Sequence, residues 1–190
     1  MSLIIVDNES SYSQQLIALF KDESPRVIHY KELAGARIAK NDTVILTGGH
    51  GDPILWHKKT YAEESKLVKK HRGPIIGICL GFELIAHVYG SHLHLLNERR
   101  KGEVELRPTK RATVHIPEQV TVFENHNWSV QTIKHPLVAV AASDYGIEII
   151  RHARKPIYGM QFHPEMSSPD AVALFKEILR EVRRRRVPEH

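Results

Sequence analysis

The stretch PIIGICLGFELIAHVYG, residues 74–90, joins an apolar run to a glycine-flanked cysteine and then to a helical pattern. PIIGI predicts a buried strand, and LGFELIAHVYG predicts a helix that Gly90 ends. Cys79, the single cysteine of the chain, therefore falls at a turn between strand and helix. Gly77 and Gly81 flank it as in a nucleophile elbow, where small residues make room for a strained backbone. A buried structural cysteine is the alternative interpretation.

Cys79 would stand at the first turn of that helix. Unpaired backbone N–H groups and the helix dipole at this end favour a thiolate, which is the reactive form of cysteine. The amide of Leu80 would also be placed to stabilise an oxyanion. The position therefore predicts a nucleophilic thiolate.

Strand and helix patterns alternate in the first half of the chain. SLIIVDN, RVIHY, DTVILTGG and PIIGI read as strands, while SYSQQLIALFKD and TYAEESKLVKKH read as amphipathic helices. This order predicts an α/β fold, an open and mainly parallel sheet with helices on both faces. Ligands of such sheets bind beyond the carboxyl ends of the strands, where Asp7, the glycines of TGGHGDP and Cys79 fall.

The pattern changes after residue 90. Short segments rich in β-branched residues, among them SHLHLL, GEVELRP, ATVHI (112–116) and GIEIIRH, predict additional antiparallel strands in the C-terminal half. The segment SSPDAVALFKEILREVRRRR predicts a closing helix with Ser168 as its N-cap. No linker or repeat divides the chain, so we expect one domain over residues 1–190.

Two further motifs supply what a nucleophilic thiol needs. In GMQFHPE, His163 follows a short strand, and Glu165 is close enough to orient its imidazole as a general base. In TGGHGDP, residues 47–53, there is no lysine at the spacing of a phosphate-binding loop. Its glycines would let backbone N–H groups approach a ligand closely, and one of these groups could serve as a second oxyanion donor. A plain turn after a buried strand is the alternative interpretation.

TGGHGDP, GICLGFE and QFHPE, in this order, resemble the motifs of the class I (triad-type) glutamine amidotransferase domain. The resemblance covers nearly the whole chain and implies a flavodoxin-like fold. It implies that Cys79 attacks the glutamine side-chain amide, with His163 as the base and Glu165 orienting it. Gly49 and Leu80 would form the oxyanion hole. Water would hydrolyse the γ-glutamyl thioester, and ammonia would pass to a partner synthase, with no cofactor or metal.

The sequence departs from the family pattern at two motif positions. Glu83 stands where the family has Gln, and His50 where it usually has Pro. A carboxylate at Glu83 would bind the α-ammonium of the substrate, repel its α-carboxylate, or mark a changed substrate. ENHNWSV, residues 124–130, resembles the segment that contacts the α-amino acid end of glutamine, with an ordinary strand-end loop as the alternative. The predicted substrate-binding residues are Gly51, Glu83, Asn127 and Trp128.

The resemblance leaves the partner open. DNESSYSQQL is similar to the start of anthranilate and aminodeoxychorismate synthase components, and ENHNWSV to carbamoyl-phosphate synthetase small subunits; a GMP synthetase-like partner is equally open. A stand-alone γ-glutamyl hydrolase or amidase is an alternative because of Glu83. A non-catalytic regulatory relative is a second alternative. The presence of Cys79, His163 and Glu165 together argues against it.

Composition narrows the remaining classes. The chain has 190 residues and a net charge of +5, but its basic residues are scattered apart from the arginines at positions 183–186. A cationic run at a helix end favours a solvated role, so we expect neither nucleic acid nor membrane as a partner. His87, His92 and His94 lack cysteine or paired carboxylate companions, so no metal is expected. One cysteine and no signal pattern suggest the cytoplasm.

Overall fold

A computed structural model of the chain describes residues 2–49, 54–55, 59–117 and 119–185. Its strands are β1 Leu3–Asn8, β2 Arg26–His29, β3 Thr43–Gly49, β4 Ile75–Ile78, β5 His94–Glu105, β6 Arg107–Pro108, β7 Thr121–Ser129, β8 Leu137–Ala142, β9 Ile147–His152 and β10 Ile157–Met160. The α-helices are α1 Ser13–Ala18, α2 Ala62–Lys70, α3 Leu80–Val88 and α4 Pro169–Arg184, and short 3₁₀ helices span Lys21–Glu23, Tyr30–Gly35 and Pro164–Met166.

Eight of these strands form one sheet in the order β2-β1-β3-β4-β10-β9-β8-β6. The pairs from β2 to β10 are parallel, and those from β10 to β6 are antiparallel. β5 and β7 form a separate antiparallel ribbon. The predicted fold class, a flavodoxin-like, mainly parallel sheet with antiparallel strands added in the C-terminal half, is therefore confirmed.

Helices cover both faces of the large sheet because alternate side chains of its strands point to opposite sides. On β1, Leu3 and Ile5 join a core that includes Leu16 of α1 and Phe175 of α4. Ile4 and Val6 belong to a second core, with Val68 of α2 and Leu84 and Ile85 of α3. Nearly continuous apolar runs in β1, β3 and β4 are the consequence of burial on both faces.

The start of α4 agrees with its sequence signals. The Ser168 hydroxyl accepts a hydrogen bond from the amide of Ala171 at 3.3 Å, and Pro169 and Asp170 occupy the first turn. The predicted N-cap is therefore confirmed. None of the helices in the described ranges is long and apolar enough to cross a membrane.

Two predictions about the C-terminal half are wrong. ATVHI, residues 112–116, forms no strand; Val114 and Ile116 enter the core from an irregular segment, and the Thr113 hydroxyl bonds that of Tyr158 at 2.7 Å. Alternate side chains of this segment are therefore buried although its backbone pairs with no strand in the described part of the chain. SHLHLL and GEVELRP do not form two separate short strands. The end of SHLHLL and the start of GEVELRP both belong to the long strand β5, and the end of GEVELRP forms β6.

The arginine run is not simply solvated. Arg183 donates to Glu23 at 2.7 Å and to the Thr43 hydroxyl at 3.3 Å. Arg185 donates to the carbonyls of His152 and Ala153 at 3.1 and 2.9 Å. These bonds tie the end of α4 to the sheet, so that part of the run has a structural role.

Candidate active site

Cys79 lies at the junction of β4 and α3 with φ 48° and ψ −103°, a conformation that a residue with a side chain rarely adopts. The adjacent glycines explain how the turn is possible. A Cβ on Gly77 would lie 2.4 Å from the carbonyl carbon and oxygen of Gly81, and one on Gly81 would lie 2.5 Å from the Leu46 oxygen. The chain therefore forms the sharp elbow that the glycine spacing predicts.

His163 and Glu165 follow β10. The backbone N–H of His163 donates to the Phe123 carbonyl at 2.8 Å, and Pro164 begins a 3₁₀ turn that carries Glu165 back toward the imidazole. His163 Nδ1 lies 2.9 Å from Glu165 Oε1, and both side chains are buried. We assign the proton to Nδ1, because a carboxylate can only accept there, which leaves Nε2 as an acceptor.

The sheet brings these distant residues together. β4 and β10 are parallel neighbours with Ile78 opposite Met160, and the Cys79 amide continues the ladder to the Met160 carbonyl at 2.8 Å. Both chain segments therefore leave the sheet at the same edge. A Cβ on Gly48 would lie 2.7 Å from His163 Cε1 and 3.4 Å from Cys79 Cβ, so that the two side chains approach the same point.

These residues border a cavity of about 300 Å³ at the carboxyl edge of the parallel strands. The described residues that line it are Ser10, Ser11, Tyr12, Gly49, Cys79, Leu80, Glu83, Arg99, Asn125, His126, Asn127, Trp128 and His163. All predicted site residues lie in this lining except Glu165, which stands behind His163, and Gly51, which falls outside the described residues together with His50. ENHNWSV is not a strand-end loop, since β7 includes Asn127 and Trp128.

The two candidate oxyanion donors, Leu80 and Gly49, line the same cavity as Cys79. The amide of Leu80 points toward the Cys79 sulfur and lowers the pKa of the thiol. Gly49 ends β3 on the other side, where a Cβ would lie 2.5 Å from the Asn8 carbonyl and 2.7 Å from Leu80 Cδ2. Only glycine lets the end of β3 come this close to the backbone of β1.

The expectation of a resting thiolate is wrong. Burial raises the pKa of the Cys79 thiol well above its usual value, and the nearby carboxyl groups of Glu83 and Glu165 add to the rise. The Leu80 amide and Arg99 oppose these effects without reversing them. The sulfur is therefore a neutral thiol at rest, and it needs a neighbouring base to become a nucleophile.

Glu83 is also neutral at pH 7. Its side chain is buried in α3 one turn after Cys79, where Oε1 accepts a hydrogen bond from Gln161 Nε2 at 3.2 Å. Burial raises the pKa of the Glu83 carboxyl to about 8, and the Gln161 bond opposes this only in part. A protonated carboxyl neither attracts an ammonium as a counter-ion nor repels a carboxylate. It resembles the amide of glutamine in size and hydrogen bonding.

Sequence reasoning missed three residues that organise the cavity. Asn125 Nδ2 donates to the Tyr12 hydroxyl at 2.8 Å, and Arg99 Nε donates to Asn125 Oδ1 at 2.8 Å. The Tyr12 ring meets the His163 imidazole edge-on, with centroids 4.7 Å apart. Asn125 belongs to the ENHNWSV segment, which is predicted to contact the substrate, so that the motif could have identified it. No sequence motif identifies Tyr12 or Arg99 individually.

The described part of the chain contains no cluster of three or more His, Cys, Asp or Glu side chains arranged to hold a metal ion.

An elbow cysteine and a carboxylate-bound histidine at one edge of a mainly parallel α/β sheet are the features that a class of cysteine-dependent amidotransferases would require. The chain belongs to the class-I glutamine amidotransferase family, whose family model matches residues 4–181. It is 37% identical over 97 residues to a glutamine-hydrolyzing GMP synthase subunit of Methanosarcina acetivorans, an alignment that covers 50% of this chain and about half (51%) of that relative.

A longer sequence match agrees with this family, and a structural match agrees with the fold. Anthranilate synthase component 2 of Lactococcus lactis is 28% identical over 193 residues, which cover 95% of this chain and 94% of the relative. The crystal structure of a Thermoplasma acidophilum protein described as a GMP synthase subunit matches 97% of this chain and 94% of its own, with a TM-score of 0.82 at 20% identity. At that identity the structural match supports the fold alone.

Proposed function

We propose that this protein hydrolyses glutamine through Cys79, His163 and Glu165 and delivers the ammonia to a partner synthase. The observation that carries the proposal is that the elbow cysteine and the carboxylate-bound imidazole border the same point beside Gly48, 3.4 Å from Cys79 Cβ and 2.7 Å from His163 Cε1. Thiol, base and orienting carboxylate are the parts that acyl transfer by a cysteine requires. A cytoplasmic location is part of this proposal, since nothing in the chain calls for an oxidising compartment.

The neutral resting thiol fixes the order of events. His163 Nε2 takes the Cys79 proton as the sulfur attacks the carboxamide carbon of glutamine, while Glu165 stabilises the imidazolium that forms. The carbonyl oxygen becomes an oxyanion, for which the amides of Leu80 and Gly49 are the candidate donors, each worth about 3 kcal/mol in comparable sites. Collapse breaks the C–N bond, and the imidazolium protonates the leaving nitrogen to give ammonia.

The second half of the reaction reuses the same base. The γ-glutamyl thioester on Cys79 is attacked by a water molecule whose proton passes to His163. The tetrahedral intermediate then expels the sulfur, which recovers a proton, and glutamate leaves. No cofactor enters either half.

The names of the relatives support a partner enzyme. The Methanosarcina relative and anthranilate synthase component 2 are each named as one part of a synthase. We assign this chain the same kind of role, with an ammonia-using synthase as partner. The neutral state of Glu83 removes the change of charge that suggested a stand-alone γ-glutamyl hydrolase.

The test is release of glutamate and ammonia by the wild-type protein and by His163→Gln, alone and with candidate synthases. We expect the variant to lose at least about 100-fold in rate, because general base catalysis contributes that much or more. His115→Gln is the matched control, since His115 is exposed and lies outside the cavity lining. Equal turnover by His163→Gln and the control would contradict the proposal.

A further inference from the structure

Arg99 brings a guanidinium to the cavity mouth. It is exposed, and it supplies the one arginine or lysine side chain among the described residues that line the cavity. Glu83, the carboxyl group in the same lining, is buried in α3. Among the described residues, the lining therefore offers an exposed cation and no ionised carboxylate to compensate it.

An irregularity of the β5–β7 ribbon places Arg99 there. Leu95 pairs with Trp128, and a regular ladder would pair His126 with the residue two places beyond Leu95. His126 instead pairs with Arg100, so that extra residues accumulate just before it. Such bulges redirect side chains and are frequent next to active sites. The extra residues of β5 carry Arg99 toward the cavity.

Hydrogen bonds hold the guanidinium in a fixed orientation. Its Nε donates to Asn125 Oδ1, and the Asn125 amide is held in turn by the Tyr12 hydroxyl. The Asn125 carbonyl lies 3.9 Å from the Cys79 sulfur, so one residue borders the nucleophile and also orients the cation. Within the described chain, the two terminal nitrogens of Arg99 have no hydrogen-bond acceptor.

The unused nitrogens form the fork that binds a carboxylate in a bidentate manner. We propose that Arg99 binds the α-carboxylate of the amino acid whose side-chain amide Cys79 attacks. This inference rests on the proposed function and adds a specificity-determining residue to it. In this arrangement the side-chain amide of the substrate lies at Cys79, and its α-carboxylate lies beyond Asn125 at the mouth of the cavity.

The test compares glutamine with the amide of γ-aminobutyric acid, which has the same reacting group and no α-carboxylate. We expect Arg99→Met to lower kcat/KM for glutamine about 10- to 100-fold, mainly through KM, because a hydrogen-bonded ion pair is lost. The same variant should change kcat/KM for the decarboxylated amide less than about threefold. Arg99→Lys should fall between, since it keeps the charge and loses the fork.

Lys101→Met is the matched control, an exposed cation on the same strand that is outside the described lining. It should leave both substrates unaffected. Equal losses for both substrates in Arg99→Met, or no loss for glutamine, would overturn the role of Arg99. Weakened synthase binding with an unchanged KM for glutamine would also overturn it and would assign Arg99 to the partner interface.

A labelling readout separates this inference from the proposed function. Cys79 alkylation by a glutamine-like chloroketone is compared with alkylation by its analogue without the carboxylate, using mass spectrometry. A preference for the carboxylate that disappears in Arg99→Met supports the Arg99 site even if the protein releases no ammonia. Ammonia release without any such preference would uphold the proposed function and overturn the Arg99 site.

Discussion

At the residue scale, Cys79 and Glu83 are both neutral where charged groups would be expected. Burial accounts for both states, because removing a thiolate or a carboxylate from water costs more than the nearby hydrogen bonds return. The reactivity of the thiol therefore depends on His163, and the substrate meets a hydrogen-bonding group rather than a charge at Glu83.

Replacing Cys79 with serine tests the nucleophile. Cys79→Ser should reduce glutamine hydrolysis to the background of the assay, because His163 is positioned for a thiol and the serine hydroxyl is far less acidic. The fold should be retained, since the side chains have nearly the same size; circular dichroism and the melting temperature check this. Turnover equal to the wild type would rule out the covalent mechanism.

Glu83→Gln tests the protonation state of that carboxyl. Because the pKa of Glu83 is about 8, the wild-type carboxyl ionises as the pH rises beyond this value. We expect the KM of the wild type for glutamine to rise several-fold between about pH 7 and about pH 9, and the KM of the variant to rise less. Thiol labelling at about pH 7 should change little.

The exposed Glu32 supplies the control variant, Glu32→Gln, which should follow the wild-type pH profile. Parallel profiles for Glu83→Gln and the wild type would show that Glu83 does not titrate next to the substrate.

The sequence identifies the residues of the site that belong to compact motifs. Cys79, His163 and Glu165 stand beside glycines or proline whose steric effects can be read locally. Tyr12 and Arg99 cannot be found in this way, because Tyr12 reaches the cavity through Asn125, a residue 113 positions away. Arg99 faces the cavity because of a register shift that no local pattern shows.

At the element scale, the adjacency of β4 and β10 assembles the site. Parallel pairing places the residues after Ile78 and after Met160 at one edge. Strand order is a property of the whole sheet. The proximity of Cys79 and His163 therefore does not follow from the sequence of either strand. The glycines at the end of β3 complete the arrangement by leaving space for the imidazole.

Gly48→Ala tests this arrangement. The added methyl would lie 2.7 Å from His163 Cε1, so that the imidazole must shift from its position beside Cys79. We expect kcat to fall at least about 10-fold, because small displacements of a catalytic group can cost up to about 100-fold. Ammonia release under saturating glutamine measures this effect.

Gly35→Ala is the matched control for that variant. A Cβ on Gly35 would meet nothing within 4 Å, and Gly35 lies at the end of a 3₁₀ helix outside the cavity lining. It should keep wild-type kcat. Equal rates for Gly48→Ala and Gly35→Ala would contradict the position of His163.

Sequence patterns predict the α/β half better than the rest of the chain. Strands buried on both faces give apolar runs with clear ends, and α4 carries a recognisable start signal. ATVHI alternates like a strand, but its alternation reflects two side chains in the core and not a ladder. The pairing of β5 with β7 depends on contacts between residues distant in sequence, which periodicity does not contain.

At the scale of the whole molecule, buried neutral carboxyls make stability depend on pH. The pKa of Glu64, in α2, rises from 4.5 to about 7 because the side chain is buried. Between these values the native state keeps a proton that the unfolded chain has released. Raising the pH therefore favours unfolding, and the stabilisation present in full below about pH 4.5 is lost as the pH passes 7. Glu83 acts in the same direction.

His152 has the opposite effect in a different range. Burial and the neighbouring Lys155 and Arg185 lower the pKa of its imidazole from 6.5 to about 4, so that it destabilises the native state only as the pH falls below 6.5. The loss of stability at alkaline pH is therefore due to the buried carboxyl groups of Glu64 and Glu83.

Glu64→Gln should flatten this decline. Wild-type stability should fall by about 2–3 kcal/mol more than that of the variant between about pH 5 and about pH 9, as a shift of this size implies. Urea unfolding at several pH values measures the difference. Glu63→Gln, a change at the partly exposed neighbour on α2, should keep the wild-type slope. A wild-type stability that is constant or rises over this range would contradict the buried neutral state.

If Cys79 attacks the side-chain amide of glutamine, a glutamine analogue that carries an electrophile in place of the amide should alkylate it. The most direct measurement is mass spectrometry of the protein after incubation with a glutamine-like chloroketone. We expect one adduct, on the peptide that contains Cys79, which glutamine prevents in a concentration-dependent manner and which His163→Gln forms more slowly. An unmodified Cys79, or labelling that glutamine does not slow, would contradict this role of Cys79.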